Sequence, residues 1–201
     1  MSARTRESAS SGADAVVREL TPAMWPAVED LFGAKGACGG CWCQAWRIAR
    51  GERWDDVKGE PAKERLRRGI RDGTTFGSLA FRDGSPIGWC TFGPRDSFPR
   101  LDRARSLRCE DSDRVWSVPC FFVHRDARRR GVATALLDCA LEAMRRRGVE
   151  TVEGYPSAPN KDGSYIAAFS WTGTMSLFEK AGFVVVGNPE GAKRRVRRTL
   201  R

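Results

Sequence analysis

The chain has 201 residues, 41% of them hydrophobic, with 7 Trp and a net charge of +10 from 35 Lys+Arg against 25 Asp+Glu. That length suits one domain with a substantial core, and no apolar run approaches the ~20 residues of a membrane span. Met1 to Asp14 is rich in Ser, Ala and Gly and lacks an apolar stretch. It predicts a disordered tail over residues 1–13 rather than a secretion signal, followed by a single domain over 14–201. Seven cysteines, an odd number with no secretory signal, predict free thiols and a cytoplasmic protein.

Ala15 to Leu20 reads as a short strand. Thr21-Pro22 supplies an N-cap and a first-turn proline for a helix to about Phe32, with Pro26 kinking it or delaying its start. Gly33 to Gly40 holds four glycines and excludes a regular element. A second helix is predicted from Pro61 to Arg71, stopped by Asp72-Gly73. Thr75 to Phe81 and Pro86 to Phe92 flank Arg82-Asp83-Gly84-Ser85, the pattern of an antiparallel hairpin. Gly93 to Asp113, with Pro94, Pro99 and many charges, is a long connection with a short helix at most. A strand (Val115 to Val123), a helix (Gly131 to Arg147), a strand (Thr151 to Tyr155), a loop, a helix (Thr172 to Ala181) and a strand (Phe183 to Val186) follow. The alternating segment Lys193 to Leu200 is expected to close the sheet. The fold class is therefore α/β of the α+β kind: a mixed, mainly antiparallel central sheet with helices on both faces.

The most informative stretch is Val123-His124-Arg125-Asp126-Ala127-Arg128-Arg129-Arg130-Gly131-Val132-Ala133. A strand runs into a short basic turn, and a helix with apolar Val132, Leu136, Leu137, Leu141 and Met144 on one face starts after Gly131. Free backbone N–H groups and the helix dipole meet an anion in this geometry. Neither a Walker loop nor a dinucleotide fingerprint is present. Such an anion accounts for the charge of Arg125 to Arg130. Arg145 to Arg147 and Lys193 to Arg201 read as a solvated helix end and a solvated terminal strand, with too little aromatic interleaving for a nucleic-acid face.

Arg128-x-x-Gly131-x-Ala133 resembles the [Q/R]-x-x-G-x-[G/A] pyrophosphate loop of the GNAT superfamily of acyl-CoA N-acyltransferases. Downstream, Met175-Ser176-Leu177-Phe178-Glu179-Lys180-Ala181-Gly182-Phe183 is similar to that superfamily's late helix, in the right order and beyond a further strand. The resemblance implies an N-acetyltransferase that moves an acetyl group from acetyl-CoA, as co-substrate, to an amine acceptor by direct attack. The acceptor stays open among antibiotic amines, polyamines, amino acids and protein N-termini, a small molecule being preferred to a protein, and no metal, membrane or nucleic-acid partner is expected. The resemblance also implies that Phe121 and Val123 offer backbone groups to the pantetheine arm and thioester, and that Arg128, Arg129, Gly131, Ala133 and Thr134 hold the pyrophosphate.

Two positions depart from the superfamily's pattern. Phe178 stands where many relatives have a tyrosine that protonates the departing thiolate, and a phenyl ring cannot donate a proton. Tyr165, Ser176 or a water is the expected substitute. Ser117 stands where some relatives have a glutamate base, and Glu153, ahead of Tyr155-Pro156, is the replacement by residue type. His124, the only histidine, reads as a turn residue. Cys38-Gly39-Gly40-Cys41-Trp42-Cys43 holds three thiols in six residues but only one CxxC. It is read as structural or acceptor-lining, with zinc as the competing use. The aromatic set Trp42, Trp46, Trp54 and Trp89 reads as core or as a wall facing a flat or cationic acceptor. Two other functions fit the residues: a basic nucleic-acid-binding module with a Cys-type zinc knuckle, and a catalytically degenerate acyl-CoA-binding protein.

Overall fold

Asp83 and Gly84 both take positive φ (49° and 78°), the two-residue turn whose twist matches paired strands, and the sheet grows outward from the hairpin they make. The computed structural model describes residues 15–157, 171–187 and 193–200. Its hairpin strands are β2 (Phe76–Arg82) and β3 (Ser85–Pro94), matching the turn signal. β1 (Val16–Glu19) pairs with β2, and β4 (Val115–Val123) with β3, both antiparallel. β5 (Thr151–Gly154) runs parallel to β4, after α4 (Val132–Arg146) has carried the chain back. With β6 (Val184–Val186) and β7 (Arg195–Thr199), the order is β1-β2-β3-β4-β5-β7-β6. Only the β4–β5 pairing is parallel, so the sheet is mixed and mainly antiparallel, as the element order predicts.

The last segment departs from its expected place. β7 does not close an edge; it lies between β5 and β6. Val196 is buried there, and Arg195 and Arg197 find carboxylates instead of solvent, which makes an interior position tolerable for so basic a strand.

Helices cover both faces. α4 sets Val132, Leu136, Leu137 and Ala140 against Ala80, Cys90 and Phe92, and α5 (Met175–Lys180) adds Met175 and Phe178 to the same core. α1 (Trp25–Phe32) and α3 (Glu60–Arg71) bring Val28, Leu31, Phe32 and Leu66 against Leu79 and Trp89 on the opposite face. The alternation of Leu79 with Ala80 and of Trp89 with Cys90 between the two cores is the period of two that a strand buried on both faces requires.

Helix ends differ from expectation for local reasons. Pro22–Met24 forms a 3-10 turn, and α1 begins at Trp25 with Pro26 in its first turn, where a missing N–H costs nothing. α5 starts at Met175, not Thr172, because the Thr174 hydroxyl accepts the Leu177 N–H and caps it. A one-turn α2 (Trp54–Val57) was not expected. The long connection after β3 holds four short 3-10 turns between Arg95 and Arg114. No helix among the described residues is long and apolar enough to cross a membrane.

One irregularity shapes everything that follows. Thr91 faces Cys120, whereas Gly93 faces Ser117, so β4 carries one more residue than β3 across this span. The bulge falls at Val118-Pro119, where a proline with no N–H to donate is at home.

Candidate active site

Beyond Val123 the chain makes a 3-10 turn over Arg125–Ala127, anchored by the buried Ala127. Arg129 (φ 58°) and Gly131 (φ 76°) both enter the left-handed region, which turns the backbone into α4. Gly131 is the N-cap, and no side chain caps the helix. The ladder begins only with Ala135 N–H donating to the Gly131 carbonyl, so the amides of Val132, Ala133 and Thr134 lack partners within the helix. Among the residues expected to hold a pyrophosphate, Gly131, Ala133 and Thr134 lie on this first turn. Arg128 and Arg129 are exposed beside it.

The strand leading to that turn parts from its neighbour. Parallel pairing of β4 with β5 stops at Val118 and Gly154, while β4 continues to Val123. His124 N–H donates to the Ile87 carbonyl, which fixes the alternation: Phe122 and Cys120 bond toward β3, and the backbone groups of Phe121 and Val123 point away from it. Arg128 Nε donates to the Val123 carbonyl at 3.0 Å, in keeping with that orientation. Among the described residues, a wedge-shaped gap therefore opens between β4 and β5 beyond Val118, lined by backbone with no strand partner, and leads to the α4 N-terminus.

Phe178 closes the floor of the gap. It is wholly buried, with its ring 6.1 Å from that of Phe121 and 5.0 Å from that of Phe183. A Cβ at Gly154 would stand 2.2 Å from this ring, so only glycine lets it settle on β5. Phe178→Ala is expected to destabilise the fold by about 3–5 kcal/mol in a urea titration. Phe178→Tyr should also lose stability, because its hydroxyl enters this aromatic contact; a variant as stable as wild type would show that the hydroxyl finds a partner. Ser176 is exposed on the first turn of α5, its hydroxyl 3.2 Å from that of Thr174. Tyr165 lies outside the described residues.

Glu153, expected as a base, occupies a different setting. Its side chain is inaccessible to solvent. One oxygen accepts from Arg197 at 2.7 Å and has Arg195 at 3.3 Å; the other accepts from the Tyr155 hydroxyl at 3.0 Å, with Arg95 at 3.9 Å. The Tyr155 hydroxyl also meets Ser117 at 2.7 Å and Arg95 at 3.1 Å, and burial first of all pushes its pKa well up. Arg197 in turn grips Asp111 with two bonds, 2.5 and 2.8 Å long, and holds its carboxyl below the usual range. These side chains tie β4, β5 and β7 to the long connection. Arg95, Asp111 and Arg197 carry no motif by which a sequence pattern could have singled them out.

On the α1–α3 face, the loop after α1 reaches the bulge. Trp46 Nε1 donates to the Pro119 carbonyl at 3.0 Å, and Cys43 Sγ lies 3.5 Å from Cys120 Sγ. Trp89 Nε1 donates to Cys43 at 3.0 Å. Cys41 is pushed up to about 11, chiefly by burial, and Cys43 is raised first by its bond to Cys120 and then by burial, so both stay thiols. No cluster of three or more His, Cys, Asp or Glu side chains poised for a metal ion occurs among the described residues. Trp42 stacks on Trp25, and a cavity of about 370 Å³ beside it is lined by Glu29, Glu60, Lys63 and three glycines, with the Lys63 ammonium 5.4 Å over the Trp42 ring. Opposite, Lys193 Nζ donates to Thr172 at 3.0 Å and Ser157 at 3.3 Å and sits 5.0 Å over Trp171, whose ring is 5.4 Å from that of Trp46.

Solved structures share this architecture. The PaiA N-acetyltransferase from Thermoplasma acidophilum, in complex with coenzyme A, aligns with a TM-score of 0.54 at 15% identity over 92% of this chain and 99% of its own. A GNAT superfamily phosphinothricin acetyltransferase from Sinorhizobium meliloti, in complex with AcCoA, gives 0.55 at 14% over 93% and 89%. The ribosomal-protein-alanine N-acetyltransferase from Brucella melitensis gives 0.52 at 19% over 92% and 99%. At such identities the likeness is one of fold. No curated protein sequence matches the chain. The profile of the acetyltransferase (GNAT) family matches residues 42–163, more than half of the chain, including the bulged strand and the turn into α4. The chain thus belongs to the acetyltransferase (GNAT) family, a family of acyltransferases.

Proposed function

We propose that this protein is an acetyl-CoA-dependent N-acetyltransferase acting on a small amine by direct attack. The observation that carries the reading is the backbone of Phe121 and Val123 that faces away from β3 into the gap, with Arg128 on the Val123 carbonyl, continuing to the amides of Val132, Ala133 and Thr134 that have no partner within α4. A pantetheine arm needs the first and a pyrophosphate the second. Arg128 and Arg129 supply the exposed positive charge beside that pyrophosphate. The amine approaches from the α1–α3 side, where the glycine-rich loop, Trp42 and Glu60 line a cavity in which Lys63 already pairs with Glu29.

Glu153 acts in this reading as an anchor: both its oxygens are engaged, and it is shut off from the acceptor. Proton delivery to the departing thiolate falls to Tyr165, Ser176 or water, and a thiol of pKa near ~8.5 makes slow delivery tolerable. The test is acetylated product, followed by mass spectrometry, from purified protein, acetyl-CoA and a panel of amino acids, polyamines and aminoglycoside-type amines. Product with at least one amine upholds the reading. Tight acetyl-CoA binding with no product from any amine would instead support an acyl-CoA-binding protein.

A further inference from the structure

The geometry points to Lys193 as the base that takes the proton of the acceptor's ammonium, an inference that rests on the acyl-transfer reading above. Lys193 stands just past the end of β5, where its backbone bridges Ser157, and Ser157 in turn bridges Thr174 ahead of α5. Across the gap lies the stretch of β4 that has no β5 partner. Trp171, under the ammonium, packs on Trp46, which donates to the Pro119 carbonyl just before Phe121, so the side chain lies beside the unpaired end of β4 on the face from which the amine is proposed to arrive.

Its surroundings suit a proton acceptor. The Nζ is held by the hydroxyls of Thr172 and Ser157 and lies over the Trp171 ring, and no carboxylate pairs with it among the described residues. Lys58 and Lys63, by contrast, are paired with Asp55 and Glu29. Cys120 from β4 is the titratable group that influences Lys193, and the nearby carboxylates Glu153 and Asp111 are taken by Arg195 and Arg197. Burial of the ammonium lowers the pKa, the Cys120 thiol opposing it, so the neutral amine forms below the usual lysine range.

Neutral Lys193 accepts a proton from the acceptor's R–NH3+. The freed lone pair of R–NH2 attacks the thioester carbon, the C–N bond forms, and the C–S pair leaves on sulfur. The proton shed by nitrogen as the intermediate collapses ends on that thiolate, and Lys193 releases its own proton to solvent.

Two measurements on the full chain test this. Trace labelling with acetic anhydride from neutral to alkaline pH, resolved by peptide mass spectrometry, should show Lys193 gaining reactivity at lower pH than the exposed Lys35 and Lys180. In turnover, kcat/KM is followed against pH with two amines of different pKa; a rising limb that stays in place between them belongs to the enzyme. Lys193→Arg, which keeps its charge, should lose that limb and about a hundredfold in kcat, with acetyl-CoA affinity unchanged by calorimetry. Titration of Lys193 alongside the exposed lysines, or a limb and rate retained in Lys193→Arg, overturns the assignment. Wild-type protein that binds acetyl-CoA but acetylates no amine overturns the acyl-transfer reading instead. The two failures are distinguishable because the labelling needs no acceptor.

Discussion

Gly131→Glu should lower acetyl-CoA affinity by about a hundredfold or more in calorimetry, while the protein unfolds near the wild-type temperature. Gly131 sits at φ 76° with no atom within 4 Å of where a Cβ would stand, so any side chain fits sterically and meets only the left-handed backbone cost of about 1–2 kcal/mol. A glutamate at this N-terminus partly offsets that cost through the helix dipole. It also places a carboxylate against the amides of Val132, Ala133 and Thr134, where the pyrophosphate is proposed to lie. Losing about two charge-assisted hydrogen bonds, each worth roughly 1.5–3 kcal/mol, accounts for the hundredfold. Gly131→Ala carries the same backbone strain without the charge and should bind within about tenfold of wild type. If Gly131→Glu binds acetyl-CoA as tightly as Gly131→Ala, the phosphates lie elsewhere.

Glu153→Gln is expected to destabilise the fold by about 3 kcal/mol in a denaturant titration, because it leaves the largely buried Arg195 beside a neutral amide, whereas Arg95 keeps Asp102. Arg197 keeps Asp111 and so loses less. Pairing Glu153→Gln with Arg195→Met in a double-mutant cycle should return a large coupling, since the second change removes the stranded charge. A variant with unchanged stability and a much reduced kcat would restore Glu153 to the role of base. The Asp111 partner adds a pH signature. Its carboxyl, held down by the Arg197 bond, contributes stability that is present above the ordinary Asp range and fades as acid protonates it below that range. Asp111 is nearly half exposed, so solvent screening keeps this contribution small, and Asp111→Asn should flatten the acid limb of stability only slightly.

The hairpin, the strand Val115–Val123 and the turn into α4 could be read from the chain because each depends on neighbours a few residues apart. Asp83-Gly84 sets its own turn, Gly131 its own left-handed cap, and Val132, Leu136 and Leu137 their own helix face. The same locality made the proposed anion site legible. The bulge at Val118-Pro119, the insertion of β7 between β5 and β6, and the surroundings of Glu153 and Lys193 depend on partners far away in the chain. Arg197 lies 44 residues from Glu153 and 86 from Asp111, and Lys193 is 21 residues from Thr172. No periodicity records which strand will sit beside which, so a strand glutamate looks the same whether it faces an acceptor or three arginines. Burial and pairing, which set what a carboxylate or an ammonium can do, arise only when β5, β7 and the long connection after β3 come together.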